Sequence, residues 1–211
     1  MDKKSYWDGR FQKESRIWGD DPSISAVIAL DLFRQHPVDR ILVPGAGYGR
    51  NSKIFSDTGY KVVGIEISGV ALELARGFDL LTTFHELSAL DLDMLEGEFD
   101  AIYGFNILHL FREAERKLFV EMCLDSLSVS GLLFFVVFSE LESSYGSGEE
   151  VEPDTFESKQ GRPVHYFSEE DLRAHFKETQ IIETGILEDK ENHGNGPHTH
   201  MLRYIFCQKI S

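Results

Sequence analysis

A chain of 211 residues with 42% hydrophobic content is sized for one α/β domain and can bury a substantial core. Its 21 basic residues against 36 acidic ones give a net charge of −15 without any basic stripe, which argues against a nucleic-acid substrate and against anionic membranes. No apolar signal region follows Met1, and the longest apolar run, Leu132–Phe138, is far too short to span a bilayer. The expected location is therefore the cytoplasm, with Cys123 and Cys207 as reduced, buried thiols and a monomer as the default state.

In chain order, Trp7, Phe11 and Trp18 recur near helical spacing, and Pro22-Ser23 precedes a helix predicted over Ile24–Phe33 that Pro37 ends. A strand over Arg40–Val43 runs into a glycine turn and a helix over about Gly49–Thr58, closed by Gly59. Next come a strand at Lys61–Ile65, a helix at about Gly69–Arg76, and strands at Thr82–Glu86 and Phe99–Gly104. Leu118, Met122 and Leu127 mark a helix over Glu113–Leu127, and the continuous apolar run Leu132–Phe138 reads as a central strand covered on both faces. Residues 139–165 have little periodicity and the length of a lid. Ser168 with Glu169, Glu170 and Asp171 starts a helix to about Lys177, and Ile181–Leu187 with Met201–Gln208 reads as an antiparallel hairpin with a loop over Glu188–His200. Alternating strands and helices predict an α/β fold with a mostly parallel, doubly wound sheet.

The segment Ile41-Leu42-Val43-Pro44-Gly45-Ala46-Gly47-Tyr48-Gly49-Arg50-Asn51 carries the strongest chemical signal. Turn glycines let backbone N–H groups approach a ligand, and Glu66, about twenty residues on at the end of the next strand, is placed to accept hydrogen bonds from ribose hydroxyls. A dinucleotide turn needs a glycine where Arg50 stands, so the turn suits a nucleoside ligand without phosphates, such as S-adenosylmethionine.

The stretches ILVPGAGYGRN, GYKVVGIEIS, GEFDAIYGFNILHLF and SGLLFFVVFS occur in the usual order of the class I S-adenosylmethionine-dependent methyltransferases, which residues 38–140 resemble. Among subgroups the chain looks most like the small-molecule tellurite-resistance and thiopurine methyltransferases. The resemblance implies a single Rossmann-like domain over 1–211. Its seventh strand is antiparallel and inserted beside the sixth, residues 1–37 form a helical cap, and 139–165 form a lid insertion. It implies that Gly45, Ala46, Gly47, Gly49 and Asn51 wrap the methionine end of the cofactor, with Glu66 on the ribose and Ile67 on the adenine. Ser88 and Ala89 fall where the family holds the adenine amino group, with Asp91 as a rival because Ser88 replaces the more usual Asp. Phe105 and Asn106 would lie beside the sulfonium, and Trp18 or Arg16 would belong to the cap. Pro44 stands where many members carry an acid.

Ligands of an open α/β sheet sit beyond the carboxyl ends of its strands, and several histidines gather there. His109 follows the fourth strand, His165 ends the lid, and His193, His198 and His200 crowd the last hairpin. His109, His165, His198 and His200 are read as lining the acceptor pocket. A divalent ion on His193, His198 and His200, with Glu191 as a fourth ligand, ranks behind that reading, because spacing in an unordered loop is a weak argument for a coordination shell; no metal is expected. Tyr145 and Arg162 are further lid candidates. The expected activity is methyl transfer from S-adenosylmethionine to a small acceptor, a thiol, a chalcogen oxyanion or a heterocycle. The alternatives are a cofactor-binding relative without turnover and a nicotinamide-dependent oxidoreductase, the latter opposed by Arg50.

Overall fold

The computed structural model describes residues 2–193 and 196–210. Its elements in chain order are α1 (Lys3–Glu14), α2 (Ile24–Phe33), β1 (Arg40–Pro44), α3 (Ser52–Ser56), β2 (Lys61–Glu66), α4 (Gly69–Phe78), β3 (Thr83–Glu86) and β4 (Phe99–Phe105). There follow α5 (Glu113–Asp125), β5 (Leu127–Phe138), β6 (Glu149–Glu152), β7 (Thr155–Lys159), β8 (Arg162–His165), α6 (Glu169–His175), β9 (Thr179–His193) and β10 (Gly196–Lys209).

Seven strands form one sheet in the order β3-β2-β1-β4-β5-β10-β9. The pairings from β3 through β5 are parallel, and β10, the last strand, is antiparallel to both of its neighbours. This is the expected doubly wound α/β sheet in a single domain. The apolar runs are buried on both faces with period two. Leu133, Phe135 and Val137 join Leu42, Ile102 and Ile205 under Phe119 of α5 and Phe176 after α6. Leu132, Phe134 and Val136 join Ile41, Val43 and Tyr103 under Ala26, Ala29 and Phe33 of α2. No helix among the described residues is long and apolar enough to cross a membrane.

Four boundaries differ from expectation. Helix α3 is one short turn rather than Gly49–Thr58, because Gly49 has a left-handed φ of +87° and Asp79 holds both of its ends through Ser52 and Ser56. β5 starts at Leu127, since Phe99 pairs with Leu127 and Ala101 with Leu132 around an irregularity at Ser130. Residues 149–165, read as irregular, form a three-stranded antiparallel sheet β6-β7-β8 turned by Asp154 and Gly161, both at positive φ. The supposed loop Glu188–His200 is strand in its described part: Glu188 pairs with Met201, Asp189 with His200 and Glu191 with His198. Pairing between β10 and β5 ends at Leu202 with Phe138, so this polar end of the hairpin overshoots the main sheet. Gly194, Asn195 and the His193 side chain lie outside the described residues.

Candidate active site

A cavity of about 490 Å³ opens at the carboxyl ends of the parallel strands. Its walls are the glycine turn, the ends of β2 and β4, helix α1, the small sheet and the overshooting hairpin. The turn comes first. Gly45 has φ +66°, and a Cβ there would lie 2.7 Å from Ile107 Cδ1, so only glycine passes. Gly47 donates its N–H to Glu66 Oε2 at 3.0 Å, and Ser68 donates to Oε1 at 2.9 Å. Burial raises the Glu66 carboxyl above its ordinary range, against the lowering effect of these N–H bonds. Gly45, Ala46, Gly47, Asn51 and Glu66 all line the cavity.

Gly49 does not line it. A Cβ at Gly49 would meet Asp79 Cβ at 3.1 Å and the Phe84 ring at 3.3 Å, so this glycine admits the turn against α4 rather than a ligand. Arg50, also unexpected as a site residue, is buried: it donates to the Trp18 carbonyl at 2.9 Å and pairs with Glu191 at 3.3 Å. It ties the N-terminal segment to the hairpin across the cavity. Tyr48 donates to the Gly19 carbonyl at 2.7 Å, accepts the Trp18 N–H at 3.1 Å and stacks on the Trp18 ring; burial pushes its hydroxyl up to about 12. Trp18 therefore lines the cavity, whereas Arg16 pairs with Asp20 outside it.

Ile67, Ser88, Ala89, Phe105 and Asn106 line the same space. Asp91 does not; its backbone caps the 3-10 turn Leu92–Met94. Asn106 sits at a left-handed φ of +52°, and its Oδ1 is buried without a hydrogen-bond partner. A buried orphan acceptor in a ligand cavity is a costly arrangement that a ligand donor would relieve.

At the opposite end the His109 ring stacks on Phe138 at 4.3 Å, and Phe138 stacks on His200 at 5.2 Å. His109 is buried and accepts the Phe138 N–H at Nδ1 (3.3 Å), so its proton is on Nε2. Burial, then the nearby Arg162, lowers its pKa well below the ordinary value and keeps it neutral. It can donate but has no free lone pair to act as a base. His200 accepts support from Glu142, whose Oε1 lies 3.1 Å from Nδ1, and this pairing raises its pKa. His198 Nε2 lies 3.1 Å from His200 Nε2, and Glu191, His198 and His200 place their ligand atoms within 4.8 Å of one another.

His165 does not line the acceptor pocket. It is buried away from the cavity, 2.8 Å from Thr155 Oγ1 and 2.7 Å from Asp171 Oδ2, and joins β8 to α6. Its neighbour Val164 lines the cavity instead, as strand alternation requires. Tyr145 bonds Asp154 outside, while Arg162 does line the cavity and donates to Tyr6 Oη at 3.1 Å. Phe138, Tyr166 and Glu142 carried no sequence signal; each depends on how residues around 139–165 fold back.

The methyltransferase-domain family model matches residues 41–131. No curated protein matches the sequence. Among solved structures, a protein from the conversion of a disulfide bond into a thioacetal group during echinomycin biosynthesis is similar at 18% identity and TM-score 0.76, over 98% of this chain and 91% of that one. Magnesium protoporphyrin IX methyltransferase of Synechocystis, solved with bound SAH, shares 17% identity over 98% and 97% of the two chains, with TM-score 0.70. The 1,6-didemethyltoxoflavin-N1-methyltransferase of Burkholderia thailandensis, solved with bound 1,6-didemethyltoxoflavin and S-adenosylhomocysteine, shares 20% identity over 98% and 84%, with TM-score 0.67. Residues 41–131 thus match the methyltransferase-domain model, and the chain as a whole shares the fold of these solved structures.

Proposed function

We propose that this chain transfers the methyl group of S-adenosylmethionine to a small planar heterocycle, as a relative of the small-molecule tellurite-resistance and thiopurine enzymes. One observation carries the donor half: a buried carboxylate, Glu66, closes on the glycine turn in the same cavity as the orphaned Asn106 Oδ1. The donor set fits the cofactor, with Glu66 for the ribose diol, Ile67 and Ala89 for adenine, and Asn106 Oδ1 for the methionine ammonium. Bound there, S-adenosylmethionine supplies an activated methyl on a sulfonium.

The protein's own work is positioning and exclusion of water. Helix α1 docks on the donor end through Lys4 on the Ile67 carbonyl at 3.0 Å and Asp8, which accepts the Ser68 hydroxyl at 2.6 Å. Residues 1–37 serve as the cap and the small sheet within 139–165 as the lid. The ring faces of Phe138, Tyr166, Phe111 and His109 around the acceptor end favour a flat acceptor, and the neutral His109 donates from Nε2 to orient it. The ring-compound methyltransferases among the similar structures support this class.

Calorimetric titration with S-adenosylmethionine, S-adenosylhomocysteine and NADH tests the donor. Micromolar binding of the first two that disappears in Glu66→Ala supports the reading, and binding of NADH alone refutes it.

A further inference from the structure

The protons of His198 and His200 are already committed. His198 Nδ1 lies 2.9 Å from the Gly196 carbonyl oxygen, which only accepts, so this nitrogen carries hydrogen. His200 Nδ1 lies 3.1 Å from Glu142 Oε1, and Glu142 Oε2 accepts the Met201 N–H at 2.7 Å, so the carboxylate takes the His200 Nδ1 proton as well. The two Nε2 atoms then face each other across one point, 3.1 Å apart. At that distance two imidazole nitrogens need a cation between them, either a proton or a metal ion.

Glu191 adds an oxygen 3.8 Å from His200 Nε2. Ligands about 2.0–2.1 Å from a divalent ion are about 3.0 Å apart along an octahedral edge and about 3.4 Å along a tetrahedral one; the imidazole nitrogens match this at 3.1 Å, and the Glu191 oxygen stands slightly farther off at 3.8 Å. The local charges agree. Glu142, Asp189 and Glu191 face His200 with Arg50 as the guanidinium among them, so acidic side chains outnumber the nearby guanidinium. The ligands also sit on paired strands rather than on a loop, with Glu191 opposite His198 in register. Both imidazoles have their far nitrogens pinned by a carboxylate and a carbonyl, the outer contacts that orient metal-binding histidines.

The geometry points to a divalent transition-metal site formed by Glu191, His198 and His200 at the acceptor end of the cavity. Two imidazoles and one carboxylate with open positions form the donor set of catalytic zinc and of ferrous centres. All three residues line the cavity, so the open positions face the acceptor. The metal's role, unlike its binding, rests on the methyltransferase reading. An acceptor hydroxyl or thiol on the ion releases its proton to solvent near neutral pH. The resulting anion forms the new heteroatom–carbon bond as the sulfonium–methyl bond breaks and S-adenosylhomocysteine leaves.

Protein prepared without a histidine tag, stripped by a chelator and titrated with Zn²⁺ by calorimetry and Co²⁺ by visible absorption, tests the site. One ion per chain is expected. Its affinity falls at least about a hundredfold in His198→Ala and in His200→Ala, since one of three ligands is lost. It falls about 10- to 100-fold in Glu142→Gln, which removes only an orienting contact and keeps the residue's shape. Binding below about a tenth of an equivalent, or equal affinity in the native chain and the double histidine variant, overturns the site and leaves a proton shared by the two imidazoles. S-adenosylhomocysteine titrated into the same metal-free samples is expected to bind the native and variant chains alike. Failure of that binding with metal uptake intact would sink the donor reading and leave the metal site standing.

Discussion

Replacing Glu66 by alanine probes the donor site at its most informative atom. The carboxylate is 7% exposed, so solvent screens it little. In the ligand-free chain it accepts the Gly47 and Ser68 N–H groups. With a nucleoside present it would also accept from the ribose diol, and hydrogen bonds to a charged acceptor contribute about 1.5–3 kcal/mol each. Allowing for competition between the diol and the backbone donors, Glu66→Ala should weaken S-adenosylhomocysteine by about 3 kcal/mol, or about a hundredfold in Kd. Calorimetry with thermal unfolding on the same samples separates binding from folding. Two buried N–H groups lose their partner at about 1–3 kcal/mol each, partly offset by removal of a buried charge.

The pH dependence has a definite sign. Burial raises the folded-state pKa of Glu66, so the carboxyl protonates above the usual carboxylate range and donor affinity weakens as pH falls through that window. For folding, its contribution is fully present below the unfolded pKa and is lost as pH rises through the folded one, so the stability of Glu66→Gln relative to native should increase with pH. An S-adenosylhomocysteine Kd for Glu66→Ala within about twofold of native would refute the assignment of this carboxylate to the ribose.

Other perturbations follow from the same contacts. Gly45→Ala forces a left-handed alanine, at about 1–2 kcal/mol, and a Cβ into Ile107; it should lower Tm and abolish donor binding, whereas retained binding would mean the turn is not the cofactor cradle. The chain's two tryptophans, Trp7 and Trp18, both line the cavity, so S-adenosylhomocysteine should change intrinsic fluorescence, and Trp18→Phe should remove most of that signal. Cys123 and Cys207 are buried, the Cys207 thiol pushed up to about 12, so a disulfide reagent at pH 8 should titrate neither thiol until denaturant is added.

Much of this fold could be read in advance because its strands announce themselves. Apolar runs such as Leu132–Phe138 suit only a strand covered on both faces, and an acid closing such a run, Glu66, has few roles other than ligand binding. Residues whose role depends on a partner were less legible. Three alternating glycines look alike in sequence, yet Gly45 and Gly47 meet the cavity while Gly49 meets Asp79 and Phe84, neighbours fixed only by the packing of α4. His165 ends a segment at the correct edge, but alternation along β8 turns Val164 inward and His165 toward Asp171.

The stretch 188–200 shows the same limit most sharply. It has no apolar alternation because it extends past the main sheet, where a backbone ladder rather than burial holds it. Sequence therefore presents it as a loop, and a loop gives His198, His200 and Glu191 no reason to converge. Once the ladder is drawn, His198 stands opposite Glu191 and His200 opposite Asp189, and Arg50 reaches in from the turn to anchor Glu191. The residue that replaces the third glycine of a dinucleotide turn is then more than a departure from that motif. A glycine there would leave Glu191 without its guanidinium partner, so a phosphate-binding turn and this hairpin cannot occupy the same protein unchanged.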